Sequence, residues 1–186
     1  MRIVLIDAGP RLLSAFSEKS STEVHDYLAK KGVEIKVDSK VVDYKNDLLT
    51  LGDGTAIPST NIYWVAGVKA NSLEGLPQDA YGPGNRLNVD VFNKVVGTNN
   101  VFAIGDTALM ISEDYPRGHP QVVQPAIQQA KLLVQNLNNI EKGLPLKPFV
   151  YHNKGSMATI GRNNAIVELK NIRFGGFPAW AVWLLS

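Results

Sequence analysis

The sequence contains no cysteine, and its three histidines, His25, His119 and His152, are widely separated. Without cysteine the chain cannot form a disulfide framework, an iron–sulfur centre or a cysteine-ligated zinc site. None of the histidines has an acidic or hydroxyl partner at a spacing typical of a catalytic triad. We therefore expect no metal site and no catalytic nucleophile, with His25 and His119 at the surface and His152 in a hairpin.

The sequence also lacks a strong excess of positive or negative charge, and it lacks long apolar runs. Nineteen Lys and Arg against seventeen Asp and Glu give a net charge of +2, and the basic residues form no stripe. This pattern argues against nucleic acid as a partner. Asp7 ends the first apolar run too early for a signal peptide. The thirteen residues 174–186 are apolar, but a membrane-spanning helix needs about 20.

The remaining pattern predicts an α/β fold. Ile3–Ile6 is a continuous apolar run, as in a strand buried on both faces of a parallel sheet. Ser20 and Glu23 have the spacing of a capping box and predict a helix over 20–31, followed by an alternating strand over 33–37. The rest of the chain predicts, in order, an antiparallel meander over 41–57, a buried strand over 62–66, an irregular crossover over 69–86, a second buried strand over 101–104, a helix over 123–140 and β-hairpins over 150–169.

Two acidic residues follow predicted buried strands. Asp7 comes directly after Ile3–Ile6, and Asp106 follows Gly105 at the end of the sequence VFAIGD. In dinucleotide-binding folds a carboxylate at such a strand end accepts hydrogen bonds from sugar hydroxyls, and a glycine lets the backbone approach a ligand. A plain strand followed by a turn accounts for the same residues, so both interpretations stay open.

Two glutamines share one face of the helix predicted over 123–140. Gln124 and Gln128 are one helical turn apart. Their uncharged amides offer both a donor and an acceptor to a flavin edge or a quinone carbonyl. The alternative is a solvated polar face.

Five segments together resemble the second half of type II NADH dehydrogenases. They are IVLIDAGPRLLSAF, TNIYWVAGVKAN, VFAIGDTA, HPQVVQPAIQQAKLLVQNL and YHNKGSMATIGRNNAIVEL, in that order. This family comprises single-subunit, non-proton-pumping NADH:quinone oxidoreductases of the two-dinucleotide-domain flavoprotein superfamily. VFAIGD is shared across the superfamily, whereas VQPAIQQ and residues 154–162 point to this branch. The resemblance implies partial Rossmann-like FAD/NAD(P)-binding domains with an antiparallel β-meander and a C-terminal β-hairpin region.

The resemblance also implies a division of the chain and a cellular setting. Residues 1–75 would be the C-terminal part of an NADH-binding domain. Residues 76–172 would be the C-terminal part of an FAD-binding domain that carries the quinone-site helix, and residues 173–186 the start of a membrane-docking tail. The implied cofactors are FAD and NAD, and the electron acceptor is a membrane quinone of the respiratory chain. The implied location is peripheral, on the cytoplasmic face of the inner (cell) membrane.

The family pattern assigns a role to each candidate residue. Asp7 would bind the NADH ribose, and Asp106, after Gly105, would bind the FAD ribitol. The remaining implied residues are Ala66, Gly67 and Val68 against the nicotinamide nucleotide, and Gln124 and Gln128 beside the isoalloxazine ring at the quinone pocket.

One family feature is missing: no G-x-G-x-x-G sequence occurs in the chain. Backbone amides at such loops hold the pyrophosphate groups. We therefore expect a fragment that binds both cofactors poorly, is inactive alone, and exposes sheet edges that invite a homodimer or domain-swapped association. Two alternatives remain. The first is another FAD/NAD(P)-dependent pyridine nucleotide reductase, similar to ferredoxin reductases, and the second is a non-catalytic interaction module.

Overall fold

The computed structural model describes residues 2–170 and 172–185, so Met1, Asn171 and Ser186, which fall within the predicted segments, lie outside the description. The chain forms two compact units. The first unit combines residues 1–64 with 154–186, and the second comprises residues 65–153. Within the described residues, no helix combines the length and the apolar character that crossing a membrane requires.

A strand, a helix and a parallel strand open the first unit. Strand β1 (Ile3–Ile6) pairs in parallel with β2 (Val33–Lys36), and helix α1 (Glu18–Lys30) connects them. The helix begins earlier than predicted because Ser17 is its N-cap and accepts a hydrogen bond from the Ser20 backbone amide. The predicted capping role of Ser20 is therefore wrong.

The meander predicted over 41–57 is confirmed. Strands β3 (Val41–Lys45), β4 (Leu48–Leu51) and β5 (Ala56–Pro58) form an antiparallel sheet in that order. The side chains of Leu49, Leu51 and Ile57 are buried together. This small core explains why the short segments hold as strands, since a hairpin needs an apolar face to be stable.

The hairpin region ends in a helix that is almost entirely apolar. Strands β8 (Ser156–Gly161), β9 (Asn164–Leu169) and β10 (Ile172–Gly175) are antiparallel, with β9 in the middle, and helix α3 (Gly176–Leu185) follows. Ala179 of α3 is fully buried against Ala165 and Val167 of β9. The predicted hairpin is confirmed over 156–169, and its central strand forms part of the core. Residues 150–155 form no strand, so the predicted position of His152 in a hairpin is wrong.

A polar cluster joins this hairpin to the start of α1. The Glu168 carboxylate accepts hydrogen bonds from the Ser17 backbone amide and from the hydroxyls of Ser17 and Ser20. Arg173 donates to the Ser20 hydroxyl and pairs with Glu23. A carboxylate at a helix N-terminus also interacts favourably with the helix dipole. The described residues 154–170 therefore pack within the first compact unit. The resemblance placed residues 76–172 in one domain, and that division stays a prediction.

The second unit is built around one long helix. Helix α2 (Val123–Glu141) closely matches the predicted helix, with Pro125 in its first turn. Strand β6 (Leu87–Asn88) pairs in parallel with the short strand β7 (Ala108–Leu109). The buried core of this unit consists of Ala80, Leu87, Val89, Val95, Ala103, Ala108, Met110 and Phe149.

Two predicted buried strands are wrong. Residues 62–66 form no strand, and Tyr63 and Val65 are 87% and 84% exposed. Residues 101–104 are extended, but only Phe102 makes a bridge, to Lys94. Apolar composition alone does not make a strand, because its backbone groups need a neighbouring strand to bond with, and none of the described residues supplies a full ladder at either segment.

We predict that Glu168→Gln lowers the free energy of unfolding by about 1–3 kcal/mol, since a charged acceptor of several hydrogen bonds is lost. Burial alone would raise the pKa of Glu168, but hydrogen bonds from Ser17 and Ser20 and the charge of Arg173 bring that pKa below its ordinary value of 4.5. The unfolded chain thus binds the proton more tightly, and the stabilisation fades as the pH falls below about 4.5.

Urea denaturation between pH 3 and pH 7 measures both effects, with the exposed Glu113→Gln as the matched control. The difference between wild type and Glu168→Gln should shrink in acid. A constant difference across this range would contradict the role of the Glu168 charge.

Candidate functional site

Asp7 lies where the sequence predicted, at the carboxyl end of β1. Its backbone amide donates to the Lys36 carbonyl at 2.9 Å, and its carbonyl accepts from the Ser39 amide at 3.0 Å. The carboxylate Oδ1 accepts the Gly9 amide at 2.8 Å. Asp7 is half-buried, so its carboxylate is both fixed by the turn and accessible to a ligand.

The segment Ala66, Gly67 and Val68 is an exposed bend. Gly67 has a φ of +94°, a conformation that L side chains rarely adopt, and its amide donates to the Val65 carbonyl at 3.0 Å. This segment belongs to the second unit, whereas Asp7 belongs to the first.

Gly105 and Asp106 form a tight turn against the first turns of α2. Gly105 has a φ of +64°, and a Cβ added there would lie 3.1 Å from the Cβ of Ala126. The glycine is therefore required both by its backbone conformation and by the close approach of the helix. Asp106 is exposed, and its backbone carbonyl accepts a hydrogen bond from Gln121 at 3.2 Å.

Sequence reasoning missed Gln129, which holds this turn. Its side chain is only 2% exposed, and its Oε1 accepts the Gly105 backbone amide at 2.7 Å. The only sequence signal was a third glutamine directly after Gln128, on a different face of the helix from Gln124 and Gln128.

Gln128 binds protein backbone on its own face of the helix. Its Nε2 donates to the His152 carbonyl, and its Oε1 accepts the His152 amide, both at 2.9 Å. Asn136, two turns later, makes the same pair of hydrogen bonds to the backbone of Lys147, both at 2.9 Å. These hydrogen bonds hold Lys147 and His152 against α2. The Gln128 side chain therefore has protein partners, and the alternative of a solvated polar face does not describe it. Gln124 is half-buried one turn earlier.

A buried arginine and a buried histidine, neither of which the sequence assigned to the site, bind the segments that follow Asp106. Arg86 donates to the Ala108 carbonyl at 3.0 Å and to the His119 carbonyl at 3.2 Å. Burial lowers the pKa of Arg86, and the charge of Asp106 opposes that change. Burial, reinforced by the charge of Arg86, lowers the pKa of His119.

His119 therefore stays neutral near pH 7, at the centre of an aromatic cluster with Tyr115, Phe149 and Tyr151. It is 7% exposed, so its predicted surface position is wrong. The Arg86 bonds and this cluster together fix the segments that follow Asp106.

Parallel strand pairing around a helix, an acid at a strand end and a glycine turn against a helix are features of nucleotide-binding α/β proteins. The sequence profile of the pyridine nucleotide-disulphide oxidoreductase family matches residues 1–130. The chain belongs to this family, whose fold is that of nucleotide-binding flavoproteins.

Within that family, the chain resembles type II NADH:quinone oxidoreductases along nearly its whole length. It is 34% identical over 197 residues to NdhA of Mycobacterium tuberculosis, covering 99% of this chain and 41% of that protein. It is 32% identical over 200 residues to the mitochondrial internal alternative NAD(P)H-ubiquinone oxidoreductase A1 of Arabidopsis thaliana, covering 98% and 39%. The chain thus spans about two fifths of these curated relatives, and the resemblance inferred from the five segments is confirmed.

Comparison of structures agrees on the fold. The structure of NDH2 from Plasmodium falciparum in complex with NADH matches with a TM-score of 0.84 at 17% identity, covering 100% of this chain and 54% of that one. The predicted fold class is therefore confirmed.

We predict that Gln128→Ala lowers the free energy of unfolding by about 1–2 kcal/mol, since two backbone partners at His152 are lost. The exposed Gln135→Ala on the same helix should change it by less than about 0.5 kcal/mol. Urea denaturation of both variants makes the comparison. Equal stability of the two variants would show that the Gln128 amide does not fasten residues 147–152.

Proposed function

We propose that the native protein oxidises NADH and reduces a membrane quinone to its quinol, and that this chain supplies part of both the nicotinamide and the flavin sites. The hydride of NADH and one further proton account for the two electrons and two protons that the quinone takes up. One observation carries the proposal. The Gly105–Asp106 turn, which ends VFAIGD, packs against the start of the helix that bears Gln124 and Gln128.

FAD is the cofactor that this turn fits best. A carboxylate that is exposed just after a positive-φ glycine suits vicinal sugar-alcohol hydroxyls, which offer donors but no charge. We assign Asp106 to the ribitol and Gly105 to the close approach of the backbone. FAD, when bound, supplies the two-electron relay between NADH and quinone.

Asp7 of the first unit is assigned to the NADH ribose. For Ala66, Gly67 and Val68 of the second unit, contact with the nicotinamide nucleotide stays a separate prediction. The carboxylate of Asp7 is fixed at a strand end and accessible, as binding to a ribose requires. A carboxylate there repels the 2′-phosphate of NADPH, so Asp7 favours NADH. Residues 1–75 would then form part of the NADH-binding domain. Residues 76–153 would form part of the FAD-binding domain, whereas the described residues 154–170 pack with the first unit.

The quinone site is assigned to the face of α2 that carries Gln124 and Gln128. The Gln128 amide holds His152, so its contribution is to shape the wall of the pocket. Gln124, one turn nearer to the Gly105 turn, is the residue that we assign to a hydrogen bond with a quinone carbonyl.

Helix α3 presents an apolar surface that could contact lipid. Helix α3 contains no charged residue, and its exposed apolar side chains are Phe177, Val182, Trp183, Leu184 and Leu185. Apolar and tryptophan side chains presented together partition into the interface of a bilayer. We assign α3 to peripheral attachment of the native protein to the membrane that contains the quinone.

The native protein purified from its own cells should show flavin absorption bands and NADH-dependent quinone reduction. Gln124→Ala should lower quinone reduction by roughly tenfold, the value of about one lost hydrogen bond. Ferricyanide reduction should change by less than about twofold, because this acceptor needs no carbonyl partner. Gln135→Ala serves as the control for both acceptors.

The outcomes separate the alternatives. Flavin bands with equal loss of both activities would favour another pyridine nucleotide reductase of the ferredoxin reductase kind. A protein without flavin bands would favour a non-catalytic interaction module. Either result would overturn the assignment of Gln124 to quinone.

Co-sedimentation with phosphatidylcholine vesicles tests the role of α3. Leu184→Ser should lower the partition coefficient by about tenfold, since burying one leucine contributes about 1.5 kcal/mol or more. Val134→Ser on α2 is the matched control, because Val134 is 61% exposed and Leu184 is 58% exposed. Equal partitioning of the two variants would rule out α3 as the lipid surface.

A further inference from the structure

Gln129 is a buried polar side chain whose contact lies at the proposed cofactor turn. It is among the largest fully buried side chains, and its Oε1 accepts the Gly105 amide at 2.7 Å. An amide is costly to bury unless it is hydrogen-bonded, because it loses its contacts with water. Alanine or leucine would fill a plain core position on α2 at no such cost, so the glutamine at 129 indicates a specific requirement at Gly105.

The requirement is conformational. Gly105 has a φ of +64°, and Ala126 of α2 lies in close contact with it. The turn that follows is closed by a hydrogen bond from the Thr107 hydroxyl to the Ile104 carbonyl at 2.9 Å. A glycine in a turn can adopt many conformations. A hydrogen bond from the Gly105 amide to the buried side chain of Gln129 selects one of these conformations.

Asp106 directly follows the residue that Gln129 holds. The orientation of the Gly105 peptide therefore determines where the exposed Asp106 carboxylate points. Gln121 holds the other side of the same residue through the Asp106 carbonyl. The neighbouring Gln128 is committed to His152, so it is not available to replace Gln129.

We infer that Gln129 is a positioning residue for the flavin site, which acts by fixing the Gly105 peptide and thereby aiming the Asp106 carboxylate at the ribitol hydroxyls. This inference rests on the proposed function of the Asp106 turn. It differs from the role assigned to Gln124, since Gln129 acts through the backbone of Gly105 and touches neither cofactor nor quinone.

The test uses the ¹⁵N-labelled chain as wild type, Gln129→Met, Gln129→Glu and the control Gln135→Met. Methionine has a similar shape but lacks the amide acceptor, and glutamate keeps an oxygen acceptor. The first readout is hydrogen exchange at each backbone amide, which needs no cofactor. The second is the chemical-shift change at Asp106 on titration with FAD, which detects even weak binding.

In Gln129→Met, exchange at Gly105 should accelerate by about tenfold, as expected for one lost hydrogen bond. Amides elsewhere in the second unit should keep their protection. The FAD-induced shift at Asp106 should shrink in the same variant. Gln129→Glu should restore both, and Gln135→Met should match wild type.

Unchanged exchange at Gly105, or equal loss of protection across the whole second unit, would overturn the inference and leave Gln129 as a packing residue only. An FAD-induced shift at Asp106 that Gln129→Met does not reduce would also overturn it. If wild type shows no FAD-induced shift at Asp106, the proposed flavin role of the turn fails, and the positioning role fails with it. The exchange data would still report whether Gln129 holds Gly105.

Discussion

Hydrogen bonding between amide side chains of α2 and the backbone of irregular segments is the interaction on which the second unit depends. Most of this unit lies outside regular sheets, so its backbone groups need other partners. Gln129 takes the amide of Gly105, while Gln128 and Asn136 each bond twice to residues of the segment 147–152. A primary amide suits this task, because it carries a donor and an acceptor at the same spacing as a peptide group.

The same interaction limits what the sequence could predict. The helix over 123–140 follows from apolar spacing, and the strand, helix and strand of the first unit follow from local signals that need no distant partner. Residues 62–66 and 101–104 have equally good apolar runs, yet strand formation depends on neighbours that a local pattern does not reveal. The start of α1 was missed for a related reason, since Ser20 binds the distant Glu168 rather than capping the helix.

Some residues of the candidate site were also predictable from the sequence, and others were not. Gly105 and Asp106 were predicted from the end of an apolar run, and the structure explains the glycine by the approach of Ala126. The functions of Gln128 and Gln129 were not predictable, because adjacent glutamines on a helix look alike in sequence although they face different segments. Gln128 and Gln129 stabilise the fold through backbone hydrogen bonds. For Gln124, on the same helix, we propose a hydrogen bond to quinone. Their spacing alone does not separate these roles.

The most direct test is a crystal structure of the native protein with FAD bound. We expect the ribitol hydroxyls within about 3.2 Å of the Asp106 carboxylate, with the Gly105 amide still donating to Gln129. A flavin bound away from this turn, or a Gly105 amide directed away from Gln129 in the complex, would contradict this expectation.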